Sequence, residues 1–222
     1  GQPLWRFQAS QGGVNSSVVI HDGVLVTIHG KENIDASEEG RMIGMRLPKI
    51  LPSPGEAQLI LKDKNPKIAD GKDWELWRHP LSMFTSSPAV ADGRVYQITK
   101  TGVLVCIDAK SGKLHYSEKL NKDQIHSSPL FADGKLFVCF PNGKVMVLRP
   151  KANGVDVLHE SQLEGEIFGS PTVWNGKIYI HTIKKLYCFG KASGDKPKNS
   201  LPVATSQPKD SKAVALQIVP ND

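Results

Sequence analysis

The sequence predicts an all-β protein, a β-propeller built of four-stranded antiparallel blades. A serine pair, replaced by Gly-Ser in the fourth copy, is followed by a two-residue turn and recurs four times, and the later copies have a period near 40 residues. Each copy also holds several short apolar runs that alternate with polar residues. Repeats of this length with several strands each are typical of propeller blades and not of helical solenoids.

The four copies align on the second serine of each pair and on a turn that begins five residues later. The serines are Ser17, Ser87, Ser128 and Ser170, and the turns are Asp22-Gly23, Asp92-Gly93, Asp133-Gly134 and Asn175-Gly176. Copies two to four lie 41 and 42 residues apart, whereas the first interval is 70 residues. Asp-Gly and Asn-Gly between alternating apolar runs predict tight hairpin turns.

The first copy is predicted to form one blade with two insertions. Residues 4–7 resemble an outer strand, and residues 14–20 and 24–28 are the first two strands of the blade. Residues 42–47 follow as the third strand, and the Trp-Glu-Leu-Trp run at residues 74–77 completes the sheet.

Two insertions explain the long first interval. Residues 29–40 replace a brief turn, and residues 48–72 contain four prolines, which a continuous central strand does not tolerate. Within the second insertion, residues 58–61 are expected to form a short extension strand.

The second copy is a β-meander that shows the strand plan most clearly. Residues 95–98 and 103–107 alternate β-branched and aromatic side chains with polar ones, and Gly102 and Gly112 fall in the turns that follow. The predicted blades span residues 4–80, 81–122, 123–164 and 165–190, with outer strands at 114–116 and 155–158. Residues 191–212 predict a flexible linker rich in Pro, Lys and Ser, and residues 213–222 the first strand of a following domain.

Composition limits the function classes. The formal charge of +6 is spread over turns and the tail, without the clustered Lys and Arg of a nucleic-acid binder. No apolar run of about 20 residues predicts a transmembrane helix, and the lack of a signal peptide decides nothing about export. Cys106, Cys139 and Cys188 lie in apolar runs without zinc-ligand spacing, so free thiols that pack as small core hydrophobes are expected.

The repeat resembles that of pyrroloquinoline-quinone-type (PQQ-like) propellers. In the second copy the matching residues are Ser87, Pro88, Asp92, Gly93, Val95, Tyr96, Gly102, Leu104, Asp108, Ser111, Gly112 and Lys113. The third copy matches at Ser128, Pro129, Asp133, Gly134, Leu136 and Phe137, and the fourth at Ser170, Pro171, Asn175, Gly176, Ile178 and Tyr179. Such propellers include quinone-dependent dehydrogenases and non-enzymatic scaffolds, and the chain is more similar to the outer-membrane assembly-factor scaffolds. The resemblance implies an exported bacterial protein, periplasmic or extracellular.

The resemblance also raises the question of blade number. PQQ-like propellers carry about seven or eight blades, whereas four are predicted here. A four-bladed ring, an excised part of a larger ring, and two chains that associate to complete one ring all remain open.

The sequence predicts no catalytic or cofactor-binding residues. The resembled enzymes need calcium held by carboxylate and amide oxygens, a catalytic aspartate and a tryptophan under the quinone, and no position of this chain matches that set. The repeated aspartates Asp22, Asp92 and Asp133 are explained by turn formation. The acidic loop at residues 32–39 has no calcium-loop spacing and is expected to be solvated.

The predicted binding site follows from the repeat. Segments that enter the innermost strands line the mouth of the propeller channel, where partners and ligands usually bind. The residue two before each anchor serine is Asn15, Thr85, His126 or Phe168, and Phe84 precedes Thr85. These five residues are the predicted partner or ligand site, with filling of the hub as the alternative.

The sequence therefore favours a non-catalytic propeller scaffold that binds a protein or a ligand and needs no cofactor. The first alternative is a fragment of a PQQ-dependent oxidoreductase, which would bind PQQ with calcium. The second is a carbohydrate-binding propeller, for which only Phe84 and Phe168 are candidate aromatic contacts.

Overall fold

Four antiparallel β-sheets follow one another along the chain in a computed structural model, one for each copy of the repeat. The structure describes residues 5–7, 10, 12, 14–30, 33, 40–47, 58–60, 74–83, 85–122 and 125–190. All helical or strand structure assigned in these residues is β-strand. The predicted all-β propeller class with four-stranded blades is confirmed.

The strands are numbered in chain order. The first blade contains β2 (Val19–His21), β3 (Val24–His29), β4 (Arg41–Arg46) and β6 (Glu75–His79). The second contains β7 (Ala89–Ala91), β8 (Arg94–Ile98), β9 (Val103–Asp108) and β10 (Leu114–Lys119). The third contains β11 (Leu130–Ala132), β12 (Lys135–Cys139), β13 (Lys144–Lys151) and β14 (Gly154–Gln162). The fourth contains β15 (Thr172–Trp174), β16 (Lys177–His181) and β17 (Leu186–Phe189). Within each blade, neighbouring strands pair antiparallel in sequence order.

The predicted hairpin turns join the first two strands of every blade. Asp22, Asp92, Asp133 and Asn175 have φ between 46° and 50°, and the glycines after them have φ between 67° and 75°. Two consecutive residues with positive φ define a type I′ turn, whose twist matches that of the flanking strands. These four are the positive-φ residues other than glycine in the described part of the chain, so the repeated turn is explained by backbone geometry.

The core lies between the blades. Each blade has a leading face toward the preceding blade and a trailing face toward the following blade, and successive side chains of a strand alternate between the two. Tyr96, on the trailing face of the second blade, stacks on Phe131 of the third with ring centroids 6.1 Å apart. One large cluster joins the first three blades, and a second joins Cys139 and Val145 of the third blade to Ile180 of the fourth.

Trp77 joins the outer strand of the first blade to the second blade. Its indole N–H donates to the carbonyl of Ala109 at 3.0 Å. A Cβ atom on Gly112 would lie 2.3 Å from Trp77 Cγ, and one on Gly44 would lie 2.1 Å from Trp77 Cε2. Both glycines are required because the indole occupies the space that a side chain would fill. The pairing of β6 with β4 at the edge of the sheet confirms that the Trp-Glu-Leu-Trp run completes the first blade.

The strand predicted at residues 14–20 is wrong in its first half, because the innermost strand begins only at Val19. Before it, the backbone N–H of Ser17 donates to the hydroxyl of Ser87 in the next blade at 2.7 Å. The Ser16 hydroxyl donates to the carbonyl of Ile28 in the same blade. These side-chain bonds replace a strand ladder, as serine commonly allows.

The other strand predictions hold, with one difference at residues 4–7 and one in the fourth blade. The expected strands at residues 4–7 and 58–61 are β1 (Trp5–Phe7) and β5 (Gln58–Ile60), but β1 is not an outer strand of a described blade, because the two pair in parallel as a separate sheet. The fourth blade shows three strands within the described residues, because no outer strand follows Phe189 there. The remainder of the two insertions, the predicted linker at 191–212 and the predicted strand at 213–222 lie outside the described residues.

Candidate functional site

The segments that enter the innermost strands bring part of the predicted site together. We call Asn15, Thr85, His126 and Phe168 the hub row, because each lies two residues before the anchor serine of its blade. The innermost strands of the first three blades contact one another in order, β2 with β7 and β7 with β11. Residues at equivalent positions of adjacent blades therefore meet side by side.

Three members of the hub row form a continuous line of contacts. The Thr85 hydroxyl lies 3.2 Å from Nδ1 of His126, within hydrogen-bond distance. The His126 ring meets the Phe168 ring edge to face, with centroids 5.5 Å apart and an interplanar angle of 74°. Thr85 and His126 are half-buried, whereas Phe168 is exposed. The line thus offers solvent a hydroxyl, an imidazole and an aromatic ring from three different blades.

The remaining predicted site residues do not join this line. Asn15 is exposed and makes no hydrogen bond to the described residues. Phe84 lies outside the described residues, so its part in the site stays a prediction. Ile125 and Ile167, which occupy the position of Phe84 in the later blades, are fully buried in the core. That position therefore packs the interior in the third and fourth blades.

The anchor serines form a relay between blades that the sequence interpretation missed. The backbone N–H of Ser17 donates to the hydroxyl of Ser87, that of Ser87 to Ser128, and that of Ser128 to Ser170. The three distances are 2.7, 2.9 and 2.8 Å. Each hydroxyl thus satisfies a backbone donor that no strand ladder reaches. The recurrence of serine was the available signal, but it served only to align the copies.

The first serine of each pair bonds within its own blade. The Ser127 hydroxyl donates to the carbonyl of Cys139 at 2.8 Å, as Ser16 does to Ile28 in the first blade. In the second blade, the Gln97 amide donates to the Ser86 hydroxyl at 3.3 Å. Gly169 takes this position in the fourth blade and has no side chain to make such a bond. In the first three blades, the serine pair therefore holds the segment that follows the hub-row residue. One serine bonds within its own blade and the other bonds to a neighbouring blade.

Two of the three thiols, those of Cys106 and Cys139, are buried. Burial raises the pKa of Cys139 to about 12 and also raises that of Cys106, so both stay protonated at neutral pH. Burial is also the main cause that raises the pKa of Tyr96, to about 12. The expectation that all three cysteines pack as core hydrophobes is wrong for Cys188, which is exposed. No described blade covers the trailing face of the fourth blade, on which Cys188 lies.

Other candidate sites are weaker. A cavity of about 350 Å³ lies beside the connection at residues 80–82 and the turn at 99–101, and none of the described site residues lines it. Within the described residues, no group of three or more His, Cys, Asp or Glu side chains is placed to hold a metal ion. The described part of the chain also contains no helix long and apolar enough to cross a membrane.

Sequence comparison identifies the repeat. Residues 67–157 match the family model described as "Outer membrane protein assembly factor BamB". A curated protein of that name from Burkholderia pseudomallei is 31% identical over 114 residues. This alignment covers 50% of the chain and 29% of the relative, so the chain spans less than a third of that protein's length.

Structural comparison supports the same fold. BamB from Moraxella catarrhalis matches with a TM-score of 0.55 and 16% identity, over 80% of this chain and 46% of that one. The quinohemoprotein alcohol dehydrogenase ADHIIG from Pseudomonas putida matches with a TM-score of 0.53 and 14% identity, over 81% of this chain and 30% of that one. The fold is thus shared by an assembly factor and an enzyme, and it does not decide between their functions.

The blades and the turns define the class of fold, a β-propeller repeat fold, and over residues 67–157 the chain is similar to PQQ-like repeat proteins. Among such proteins it resembles the outer-membrane assembly factor BamB.

Proposed function

We propose that this chain is a non-catalytic propeller scaffold that binds a protein partner through the hub row. The observation that carries the proposal is the contact line from Thr85 through His126 to Phe168, which joins three blades. Rigid strands hold these side chains in place, and loops at a propeller mouth are the usual place for partner binding. Asn15 and Phe84 stay predicted members of the same surface.

The chemistry of the row suits a protein partner. An exposed aromatic ring next to a half-buried imidazole offers an apolar contact with a hydrogen-bonding group beside it, as at many protein interfaces. We place the protein in the bacterial periplasm or outside the cell, with a role in envelope assembly, because the sequence relative is an outer-membrane assembly factor. No cofactor takes part in this function.

Site-specific photo-crosslinking tests the proposal. The crosslinker p-benzoylphenylalanine is placed at Phe168 in the exported protein, and in a second variant at Val157, an exposed apolar residue on the outer strand of the third blade. We expect a discrete protein adduct from position 168 and none from position 157. His126→Ala and Thr85→Val should each weaken that adduct. His126 packs against the ring at position 168 and Thr85 lies within hydrogen-bond distance of His126, so each variant loses a group that orients the crosslinker.

An adduct of equal yield in the His126→Ala and Thr85→Val variants would contradict the hub row as the binding surface. A separate assay addresses the absence of catalysis. The purified chain is incubated with PQQ and calcium, and dye-linked oxidation of alcohols and sugars is followed. Turnover above a protein-free control would overturn the scaffold function.

A further inference from the structure

The two ends of the blade series carry complementary halves of one seam. In the serine relay each blade gives a backbone N–H to the hydroxyl of the next blade. Ser170, the last member, donates its N–H to none of the described residues, and the Ser17 hydroxyl, the first member, accepts from none of them. Within the described residues, the fourth blade thus has a free donor and the first blade a free acceptor of the same kind of bond.

The trailing face of the fourth blade lacks the cover that its equivalents have. Leu186 pairs with His181, and His181 lies six residues after Asn175, which starts the type I′ turn. The same ladder position holds a buried side chain in each earlier blade, namely Met42, Leu104 and Val145. Leu186, in contrast, is 67% exposed, and Trp174 on the same face is 70% exposed. The two side chains lie at opposite corners of this face, with Tyr179 between them. Exposed apolar side chains spread over one sheet face mark an interaction surface.

The leading face of the first blade is exposed at its inner strand. Val18 is 52% exposed, whereas the prolines at the same position of the later blades, Pro88, Pro129 and Pro171, are buried. Ile20 is 59% exposed, whereas its equivalent Phe131 stacks on Tyr96 of the preceding blade. No described blade therefore covers the inner strand of the first blade, whereas a described blade precedes each of the others.

We propose that a second copy of this chain occupies both ends, with the trailing face of its fourth blade against the first blade of its partner. Each copy brings a free donor and a free acceptor, so two copies complete the relay at both contacts. Ser170 N–H of one copy donates to the Ser17 hydroxyl of the other. Ile20 of one copy meets Tyr179 of the other, as Phe131 meets Tyr96 inside the chain.

The contact reproduces three seams that the chain already contains, and that continuity is why a second copy fits. Two sets of four blades give eight, which lies within the usual range for propellers. A head-to-tail contact with this closure gives a dimer instead of a filament. The outer part of the first blade's leading face, at Ile43, Met45 and Trp74, is already buried, so the second copy contacts the inner strand.

Light scattering on a size-exclusion column, over a range of concentrations, tests the proposal with the 222-residue chain. We expect a dimer that dissociates on dilution. Leu186→Glu and Val18→Glu, one at each end, should each weaken dimerisation by about tenfold or more, because the charge would be buried in a seam. Val157→Glu replaces an equally exposed apolar residue away from both ends and should leave the mass unchanged.

A mixing experiment removes the ambiguity of a folding defect. Equal amounts of the Leu186→Glu and Val18→Glu chains together keep one unaltered seam, so the mixture should recover part of the dimer that neither forms alone. A monomer at every concentration would overturn the proposal and assign the end surfaces to another polypeptide. A dimer that both variants leave intact would overturn it as well.

The dimer goes beyond the proposed partner binding and does not rest on it. His126→Ala lies in the hub row and should leave the dimer mass unchanged, so the two proposals fail independently.

Discussion

The second and fourth blades share a strand plan and differ in what covers them. Both have a type I′ turn after the innermost strand and an aromatic residue four positions after the start of that turn, at Tyr96 and Tyr179. Tyr96 is 3% exposed, because the third blade packs on it. Tyr179 is only half-buried, since no described blade follows it. Local sequence thus forms the same hairpin twice, and the neighbouring blade alone decides whether its face becomes core.

The largest effect should separate Leu104 from Leu186, which hold the same ladder position. Leu104→Ala empties a fully buried site and should cost about 2–5 kcal/mol of unfolding free energy. Leu186→Ala should change the unfolding free energy of the monomeric chain by about 0.5 kcal/mol or less. Urea denaturation at low protein concentration measures both. Equal losses would show that the fourth blade's trailing face is buried within one chain.

The turn glycines sharpen the same contrast. Gly112→Ala places a Cβ 2.3 Å from Trp77 Cγ at a positive φ of 73°, whereas Gly176→Ala meets nothing within 4 Å at a φ of 69°. Both substitutions should lower the unfolding free energy by about 1–2 kcal/mol, because alanine disfavours the left-handed backbone. Gly112→Ala should lower it by about 1–3 kcal/mol more, because its Cβ is overpacked against Trp77. Thermal unfolding of the two variants tests this difference. A similar melting temperature for both would mean that Trp77 moves aside freely.

The serine relay predicts a smaller difference between an inner seam and an open end. Ser128→Ala removes the acceptor of the Ser87 backbone N–H and should cost about 0.5–1.5 kcal/mol. Ser17→Ala removes a hydroxyl that accepts no bond from the described residues, so the monomer should keep its stability within about 0.5 kcal/mol. Chemical denaturation distinguishes the two. A loss at Ser17 that matches the loss at Ser128 would argue for a bonded hydroxyl at this end.

The smallest effect concerns the turn that begins the outer strand of the second blade. The hydroxyl and backbone N–H of Ser111 both donate to Asp108 at 2.7 Å, and they hold the pKa of that carboxyl below its usual range. A lowered pKa stabilises the fold above the unfolded-state pKa, and this contribution is lost as pH falls through the folded-state pKa. Asp108→Asn should therefore cost about 0.5–1 kcal/mol at pH 7.

The pH dependence supplies the control for Asp108. The stability gap between the two proteins should narrow below about pH 4, the region of an ordinary aspartate pKa. A gap that stays constant down to pH 2 would show that the charge plays no part. In the fourth blade the equivalent position is Gly190, which has no carboxyl group to accept these bonds.

The hub row shows how far a site could be predicted. The spacing from the anchor serine placed Thr85, His126 and Phe168 at equivalent positions, and they do contact one another in the structure. The same spacing did not reveal that Ile125 and Ile167 face the core, because burial depends on how adjacent blades pack. Nor did it reveal the serine relay, whose partners lie 41 to 70 residues apart in sequence.

The hairpins follow from local sequence alone, because a type I′ turn and an alternating strand depend on residues a few positions apart. Asp92-Gly93 and Asn175-Gly176 form the same turn whatever lies beside them. Only the tertiary structure decided which faces are covered: Leu104 is buried and Leu186 is not, although both lie in apolar runs of the same register. The physical reason is that the burial of an apolar side chain is set by the surface that excludes water from it, and in a propeller that surface belongs to another blade.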